Sequence, residues 1–304
     1  MWTLLVSAAL AQGQPTIVDG TPEFQSCLTS SQCADNFYRF LGLSMAEQGF
    51  TFQNDPQLLS PTLSRREGWT IGGLLTTFPL APPRANLSGK EENTSYSPVL
   101  PRLFGGWKGE VGSGVAGVGG FFLPPIPVQG ASSLVLGAHA STAWTLAGRV
   151  RVGPEVGFTY TLANAPVVAT QEQFEDRENW NYPDNIDPDT YEEVCGVEED
   201  GCVDRFTVAN TTVAAAASVD LAAGFSLQGK VGLALLHETL WVMYDDTTWR
   251  LSGAQFIWNG GVSWSHEHVQ LGAGASFGTR GAALSEEEKA GVVFKLQAGA
   301  AARF

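Results

Sequence analysis

The chain has 304 residues and a formal net charge of −14, and only 16% of its residues are charged, compared with about 25% in soluble domains. This acidic balance excludes a protein that binds nucleic acid through a basic surface. Glycine accounts for 35 residues and tryptophan for nine, a composition that favours a β-protein outside the cytoplasm. The length is sufficient for one barrel or for two small domains.

Residues 1–11 have the features of a secretory signal peptide. An apolar stretch at residues 2–6 precedes the small-residue site Ala9-Leu10-Ala11, so cleavage is predicted before Gln12. The segment has no early Lys or Arg and is shorter than the usual ~15–30 residues, which indicates that translation starts further upstream. A buried N-terminal strand is the alternative.

Residues 12–66 do not show the alternation that dominates the rest of the chain. Within them, the apolar residues Phe37, Phe40, Leu41 and Met45 have the spacing of one helical face. We predict a short periplasmic cap or a plug inserted into a barrel. A loosely ordered leader is the alternative.

From residue 67 onward the sequence alternates with a period of two, the pattern of β-strands with one apolar and one polar face. Each of these segments reaches or exceeds the ~9–11 residues that a tilted strand needs to cross a bilayer. The run 111–129 is uncharged, but its glycines and prolines exclude a membrane helix. The ten predicted strands are residues 69–78, 100–108, 113–123, 133–146, 153–162, 206–221, 226–242, 249–265, 268–279 and 290–304.

The connections between these strands alternate in length. Long loops at 79–99, 124–132, 163–205, 243–248 and 280–289 would lie at one end. Short turns at 109–112, 147–152, 222–225 and 266–267 would lie at the other. Bacterial membrane barrels have this asymmetry, with the short turns in the periplasm. The predicted fold class is therefore all-β, a transmembrane antiparallel β-barrel of about ten strands over residues 67–304, with twelve strands as the alternative.

The final segment places Phe294, Leu296 and Phe304 on one face. It resembles the C-terminal strand of Gram-negative outer-membrane β-barrel proteins. This resemblance implies location in the bacterial outer membrane, contact with lipid and lipopolysaccharide, and a role for Phe304 in the signal read by the barrel assembly machinery. An edge strand of a soluble sandwich is the alternative.

A second resemblance covers residues 104–129, where a strand, a short turn, a glycine-rich strand and a proline-rich loop follow each other. This stretch resembles a strand pair of the FadL-type family of hydrophobic-compound transporters. That family has more strands and an N-terminal hatch motif that this sequence lacks. The resemblance implies passage of a small hydrophobic ligand.

The predicted loop 163–205 concentrates the negative charge. Residues 171–204 contain 13 acidic residues and one basic residue, and Asp184, Asp187 and Asp189 form a candidate calcium site. The segment lacks the full EF-hand frame, so a solvated acidic loop is the alternative. Such a loop would repel acidic lipopolysaccharide and DNA.

The four cysteines form two close pairs in the sequence. Export to an oxidising compartment predicts the local disulfides Cys27–Cys33 and Cys195–Cys202. A zinc site is disfavoured because neither pair has the spacing of two intervening residues that zinc sites prefer.

The inward faces of the predicted strands carry the candidate functional residues. A ten-stranded barrel is too narrow for an open porin, and we expect Glu155, Lys230 and Lys295 to form a network that fills the lumen. The inward polar candidates are Arg102, His139, Glu155, Lys230, Glu238, Gln255, Asn259, Gln270, Lys295 and Gln297.

No catalytic group is predicted. His237 and Glu238 are adjacent in a strand, so their side chains point to opposite faces and cannot form a dyad. The omptin proteases also have ten strands, but their paired acidic and Asp-x-His motifs are missing here. We therefore expect no enzyme activity and no cofactor. The favoured function is a narrow channel or transporter for small or hydrophobic molecules. The alternatives are a structural or surface-interaction barrel displaying the acidic loop, and, less favoured, an outer-membrane hydrolase.

Overall fold

The computed structural model describes residues 16–19, 67–77, 99–125, 132–146, 148–165, 204–242, 247–279 and 292–304. The predicted signal peptide, the four cysteines and Asp184, Asp187 and Asp189 lie outside these described residues.

Ten long strands form one closed antiparallel barrel. Each strand from β2 to β10 pairs with the next strand along the chain, and β11 pairs with β2 to close the sheet. The predicted fold class is therefore confirmed. The strands are β2 Gly68–Thr77, β3 Val99–Val111, β4 Gly114–Leu123, β5 Ser132–Leu146, β6 Val150–Ala165, β7 Asp204–Asp220, β8 Phe225–Val242, β9 Thr247–His266, β10 Val269–Thr279 and β11 Val292–Arg303.

Two of the predicted turns are too wide. Strand β3 continues to Val111, because only Gly112 adopts the positive φ of 60° that the tight turn requires. Strand β6 already begins at Val150, after Gly148 has turned the chain with a φ of 72°. The predicted loop 163–205 is shorter than expected, since β6 extends to Ala165 and β7 begins at Asp204.

A short additional strand, β1, lies in the N-terminal segment at Thr16–Asp19. It pairs antiparallel with the start of β9, where Thr16 lies opposite Arg250 and Ile17 opposite Trp249. The start of β9 is at the end of the barrel that carries the long connections. The rest of residues 12–66, and with it the predicted cap or plug, lies outside the described residues.

The outer face of the barrel is apolar. Large hydrophobic side chains project outward along the strands, including Ile71 and Leu103, which are 62% and 61% exposed. A soluble protein would bury such a surface, whereas a lipid bilayer covers it. Among the described residues, no helix is long and apolar enough to span a bilayer.

Aromatic side chains surround the end of the barrel that carries the short turns. Trp69 lies directly opposite Trp107, and both are exposed. Phe304 is also exposed and forms two backbone hydrogen bonds with Trp69, of 3.0 and 3.1 Å. Rings in these positions form the interfacial girdle of a membrane barrel, where one edge of the ring is wet and the other is in lipid.

Candidate functional site

The barrel lumen collects nearly all of the buried polar side chains. The strands alternate between an outward apolar and an inward polar face, so a charged residue at an inward position is enclosed by the sheet. All ten sequence-predicted lumen residues are buried: Arg102, His139, Glu155, Lys230, Glu238, Gln255, Asn259, Gln270, Lys295 and Gln297.

An ion pair occupies the lower middle of the lumen. Lys230 Nζ lies 2.9 Å from Glu155 Oε1, and the two side chains are at most 1% exposed. The pair bridges β8 and β6 across the intervening strand β7, at Ala216 and Ala214, whose side chains are too small to obstruct it. Removal of either partner would leave a buried charge without its counter-ion.

Neighbouring hydrogen bonds extend this polar layer. Gln228 Nε2 donates to Ser263 Oγ over 2.7 Å, and Asn259 Nδ2 donates to Ser276 Oγ over 3.0 Å. Both bonds join side chains on neighbouring strands, β8 with β9 and β9 with β10. The lower lumen is therefore held together by side-chain bonds as well as by the backbone ladder.

The end of the lumen nearest the short turns, here called the lumen floor, contains three buried cations that the sequence analysis did not assign to the lumen: Lys108, Arg151 and Arg303. Arg151 Nη2 forms a 2.7 Å ion pair with Asp220, and Ser226 Oγ donates to the same carboxylate oxygen over 2.9 Å.

The alternation of the strands could have identified these residues, because residues an even number of positions apart in a strand lie on the same face. Lys108 is an even number of positions from the predicted lumen residue Arg102. The same relation holds between Arg151 and Glu155, and between Arg303 and Lys295. Arg151 was missed because it lies within the predicted turn 147–152. Lys108 and Arg303 lie at the ends of predicted strands and were left out of the inward set, although Arg303 shares a face with Lys295.

One wall of the upper lumen, on strands β2 to β5, is apolar. We call it the apolar wall, and it is formed by Leu74, Phe104, Phe121, Leu123 and Val135, which belong to one buried cluster. The guanidinium carbon of the lumen residue Arg102 lies 5.5 Å from the centroid of the Phe121 ring, a cation–π arrangement.

Glycine makes room for the lumen side chains. A Cβ atom at Gly137 would collide with the ring of Phe121, and one at Gly119 would lie 2.6 Å from His139 Cε1. The glycines of β4 and β5 therefore leave space for the rings of Phe121 and His139 inside a ten-stranded barrel. This explains part of the high glycine content.

A polar wall of the upper lumen lies on β6 to β8. Val208 of β7 pairs with Thr161 of β6 on one side and with Glu238 of β8 on the other. Asn210 is the next inward residue of β7. All three polar side chains are at most 2% exposed. Thr161 Oγ1, both polar atoms of the Asn210 amide and both carboxyl oxygens of Glu238 have no hydrogen-bond partner among the described residues.

The histidines are dispersed. His237 points outward and its Nδ1 lies 2.7 Å from Ser252 Oγ, whereas its neighbour Glu238 is fully buried, as expected for adjacent residues of a strand. His139 lies in the lumen. His268 lies beside the β9–β10 turn, with its Nδ1 3.1 Å from the backbone oxygen of Arg303. The described part of the chain holds no group of three His, Cys, Asp or Glu residues arranged to bind a metal ion.

Comparison with known proteins gives a likeness in fold alone. No family model and no curated protein sequence matches the chain. Similar solved structures include the P. putida toluene transporter TodX, with 10% identity, 81% of this chain and 70% of that chain covered, and a TM-score of 0.33. The transport unit of the Escherichia coli autotransporter AIDA-I has 11% identity, coverage of 88% and 99%, and a TM-score of 0.37. The E. coli outer membrane protease OmpT has 8% identity, coverage of 82% and 99%, and a TM-score of 0.40.

The described residues themselves identify the class of protein. Bacterial outer-membrane barrels have an even number of antiparallel strands in a closed sheet, an apolar exterior with an aromatic girdle, and a polar interior. The barrel of this chain has all of these features. The predicted localisation is confirmed with the predicted fold. This chain is a ten-stranded β-barrel of the bacterial outer membrane.

Proposed function

We propose that the barrel is a narrow channel or transporter for small molecules that are partly hydrophobic. The observation that carries this proposal is the two-sided upper lumen, in which the apolar wall lies on strands β2 to β5 and the unpartnered polar groups of Thr161, Asn210 and Glu238 lie on β6 to β8.

The energetics of the polar groups support a solute-binding role. A buried hydroxyl, amide or carboxyl group without a hydrogen-bond partner costs about 1–3 kcal/mol, and more if it is charged. A barrel with a purely structural role would be more stable with apolar side chains at these inward positions. A solute that passes through the upper lumen can supply the missing hydrogen bonds while its apolar part contacts Phe104 and Phe121.

The size of the barrel restricts the solute. Barrels of ~8 strands are filled by their own side chains, and those of ~16–18 strands leave an aqueous channel, so ten strands leave a narrow passage. The Lys230–Glu155 pair lies between the upper lumen and the floor. A solute that crosses the whole barrel would have to pass this pair.

Flux through the purified full-length protein tests this proposal. In planar bilayers and in liposomes loaded with small aromatic or polar solutes, we expect low but measurable passage. The double variant Lys230→Ala/Glu155→Ala removes both charges and both long side chains, and passage should increase. Arg149→Ala, an exposed residue at a short turn, is the matched control and should leave passage unchanged.

Absence of flux in both the wild type and the double variant would contradict the channel. It would instead favour a structural or surface-interaction barrel that displays its acidic loop, for which binding occurs without flux. Turnover of a peptide or ester substrate that is lost on changing His237 would favour a hydrolase, which we do not expect.

The proposal also covers the lipids and the assembly machinery that contact the barrel. The apolar outer face requires lipid, and we propose that outer-membrane lipid and lipopolysaccharide surround it. The barrel assembly machinery would insert it through recognition of β11 and Phe304. The exposed Phe304 ring beside Trp69 supports this role.

A further inference from the structure

Three side chains of the polar wall lie at the corners of a triangle. Val208 of β7 pairs with Thr161 on one side and with Glu238 on the other, which places these two residues about 10 Å apart, two strand spacings. Asn210, two residues further along β7, is the diagonal neighbour of both, at a Cα separation of about 7–8 Å. All three side chains point into the lumen, and Val208 lies between them.

The three corners of this triangle have unused hydrogen-bonding capacity. Glu238 is fully buried, and among the described residues its carboxyl oxygens have neither a hydrogen-bond partner nor an ion pair. In the same part of the chain, Thr161 Oγ1 and both polar atoms of the Asn210 amide have no hydrogen-bond partner either. Exposures of 0–2% mean that folding has removed these groups from water. A solute that donates hydrogen bonds to them would restore the interactions that burial removed.

The facing apolar wall determines which end of a solute lies on the triangle. Strands β3 and β8 are five positions apart in the ten-stranded ring, so Arg102 and Glu238 lie on opposite sides of the lumen. The Arg102 guanidinium lies over the Phe121 ring, which gives the apolar wall a positive charge. That charge repels a cationic group, whereas the Glu238 carboxylate attracts it. An apolar group packs instead against Phe104 and Phe121.

We propose that the upper lumen selects solutes that carry a primary amine on an apolar or aromatic body. An ammonium group has three N–H donors, and the triangle has three acceptors in the Glu238 carboxylate, Thr161 Oγ1 and Asn210 Oδ1. A charge-assisted hydrogen bond to a carboxylate is stronger than a neutral one, and more so away from water. This inference names the substrate class of the proposed channel and therefore rests on that function. Entry of the solute requires side chains between the two walls to rotate.

Titration calorimetry of the purified full chain in detergent, corrected for binding to empty micelles, tests the selectivity at neutral pH. Benzylamine carries an ammonium group with three donors, benzyltrimethylammonium carries the same charge without N–H donors, and benzyl alcohol carries an uncharged hydroxyl group. Benzylamine should bind about tenfold more tightly than the other two, because it alone combines the charge with three donors. Equal affinity for benzylamine and benzyl alcohol would overturn the inference, and so would the absence of benzylamine binding.

Substitutions of nearly equal size locate the binding site. Glu238→Gln removes the charge and should weaken benzylamine binding by about tenfold or more, with benzyl alcohol binding changed less than about twofold. Thr161→Val removes one acceptor and should weaken benzylamine binding several-fold. The matched control is Glu110→Gln, which removes an exposed carboxylate near a short turn and should change the affinity less than about twofold. Unchanged affinity in Glu238→Gln, or an equal loss in Glu110→Gln, would contradict the site.

The flux measurement on the same purified chain separates this inference from the channel proposal. Selective binding of benzylamine without passage of any solute would contradict the channel alone. Passage of small solutes without preferential binding of benzylamine would contradict this inference alone.

Discussion

The outward and inward faces of the same strands differ in whether their side chains need specific partners. On β8, the outward residues Leu227, Val231 and Leu235 are all apolar, and they need no particular partner because lipid accepts any apolar side chain. The inward residues of that strand include Lys230, which has a specific ion partner, and Glu238, which has no hydrogen-bond partner among the described residues. The apolar outer face thus keeps the barrel in the membrane, whereas the side-chain interactions that are specific to this barrel lie on the lumen face.

The largest effect on stability should come from breaking the lumen ion pair. Lys230→Met leaves Glu155 buried without its counter-ion and should lower the free energy of unfolding by about 3–5 kcal/mol. The double variant Lys230→Met/Glu155→Leu should recover most of this loss, because no isolated charge remains. Urea unfolding in lipid vesicles measures both. Equal stability of the single and double variants would show that the pair is not coupled.

A charge on the outer face should cost less, and its cost should depend on depth. Val213→Lys places an ammonium group in the middle of the outward face of β7 and should destabilise the barrel by about 2–4 kcal/mol. Val219→Lys, the same substitution on the same face one residue before the end of β7, should cost only about 0–1 kcal/mol. Vesicle unfolding compares the two. Similar costs would contradict the placement of lipid along β7.

A smaller effect is expected where glycine accommodates a lumen ring. Gly137→Ala forces the Phe121 ring to move and should cost about 1–3 kcal/mol. The matched control is Gly260→Ala on the outer face, where an added Cβ meets nothing within 4 Å and should change stability little. Adding Phe121→Leu should relieve the Gly137→Ala defect. If the defect persists without the ring, strain in β5 itself is responsible.

Much of the fold could be predicted from local pattern, because alternation alone assigns each residue of a strand to one face. Once Arg102 and Lys295 were placed on strands of a closed barrel, their burial followed. The strand limits were less predictable where the alternation runs into a turn, as at Gly109–Val111 and Arg151.

The opposed charges of Glu155, Lys230 and Lys295 predicted a lumen network, but alternation alone does not show which of these side chains meet. Lys230 and Glu155 are separated by 75 residues and meet across β7, so their contact depends on the register of two strand pairs. A one-residue slip in either pair would separate them. The apolar wall was missed for another reason: the inward candidates were selected by polarity, and Phe104 and Phe121 are as hydrophobic as the lipid-facing residues. Phe104 lies two positions from Arg102, so alternation would have placed its ring in the lumen.

The central claim is that this chain forms a closed barrel in the outer membrane, and the electrophoretic mobility of the exported protein tests it most directly. The protein should fractionate with outer membranes. It should also migrate at one position without heating and at another after boiling, because a sheet closed by β11–β2 pairing has no edge from which detergent can unravel it. Recovery in the soluble periplasmic fraction, or a single mobility at every temperature, would contradict the account.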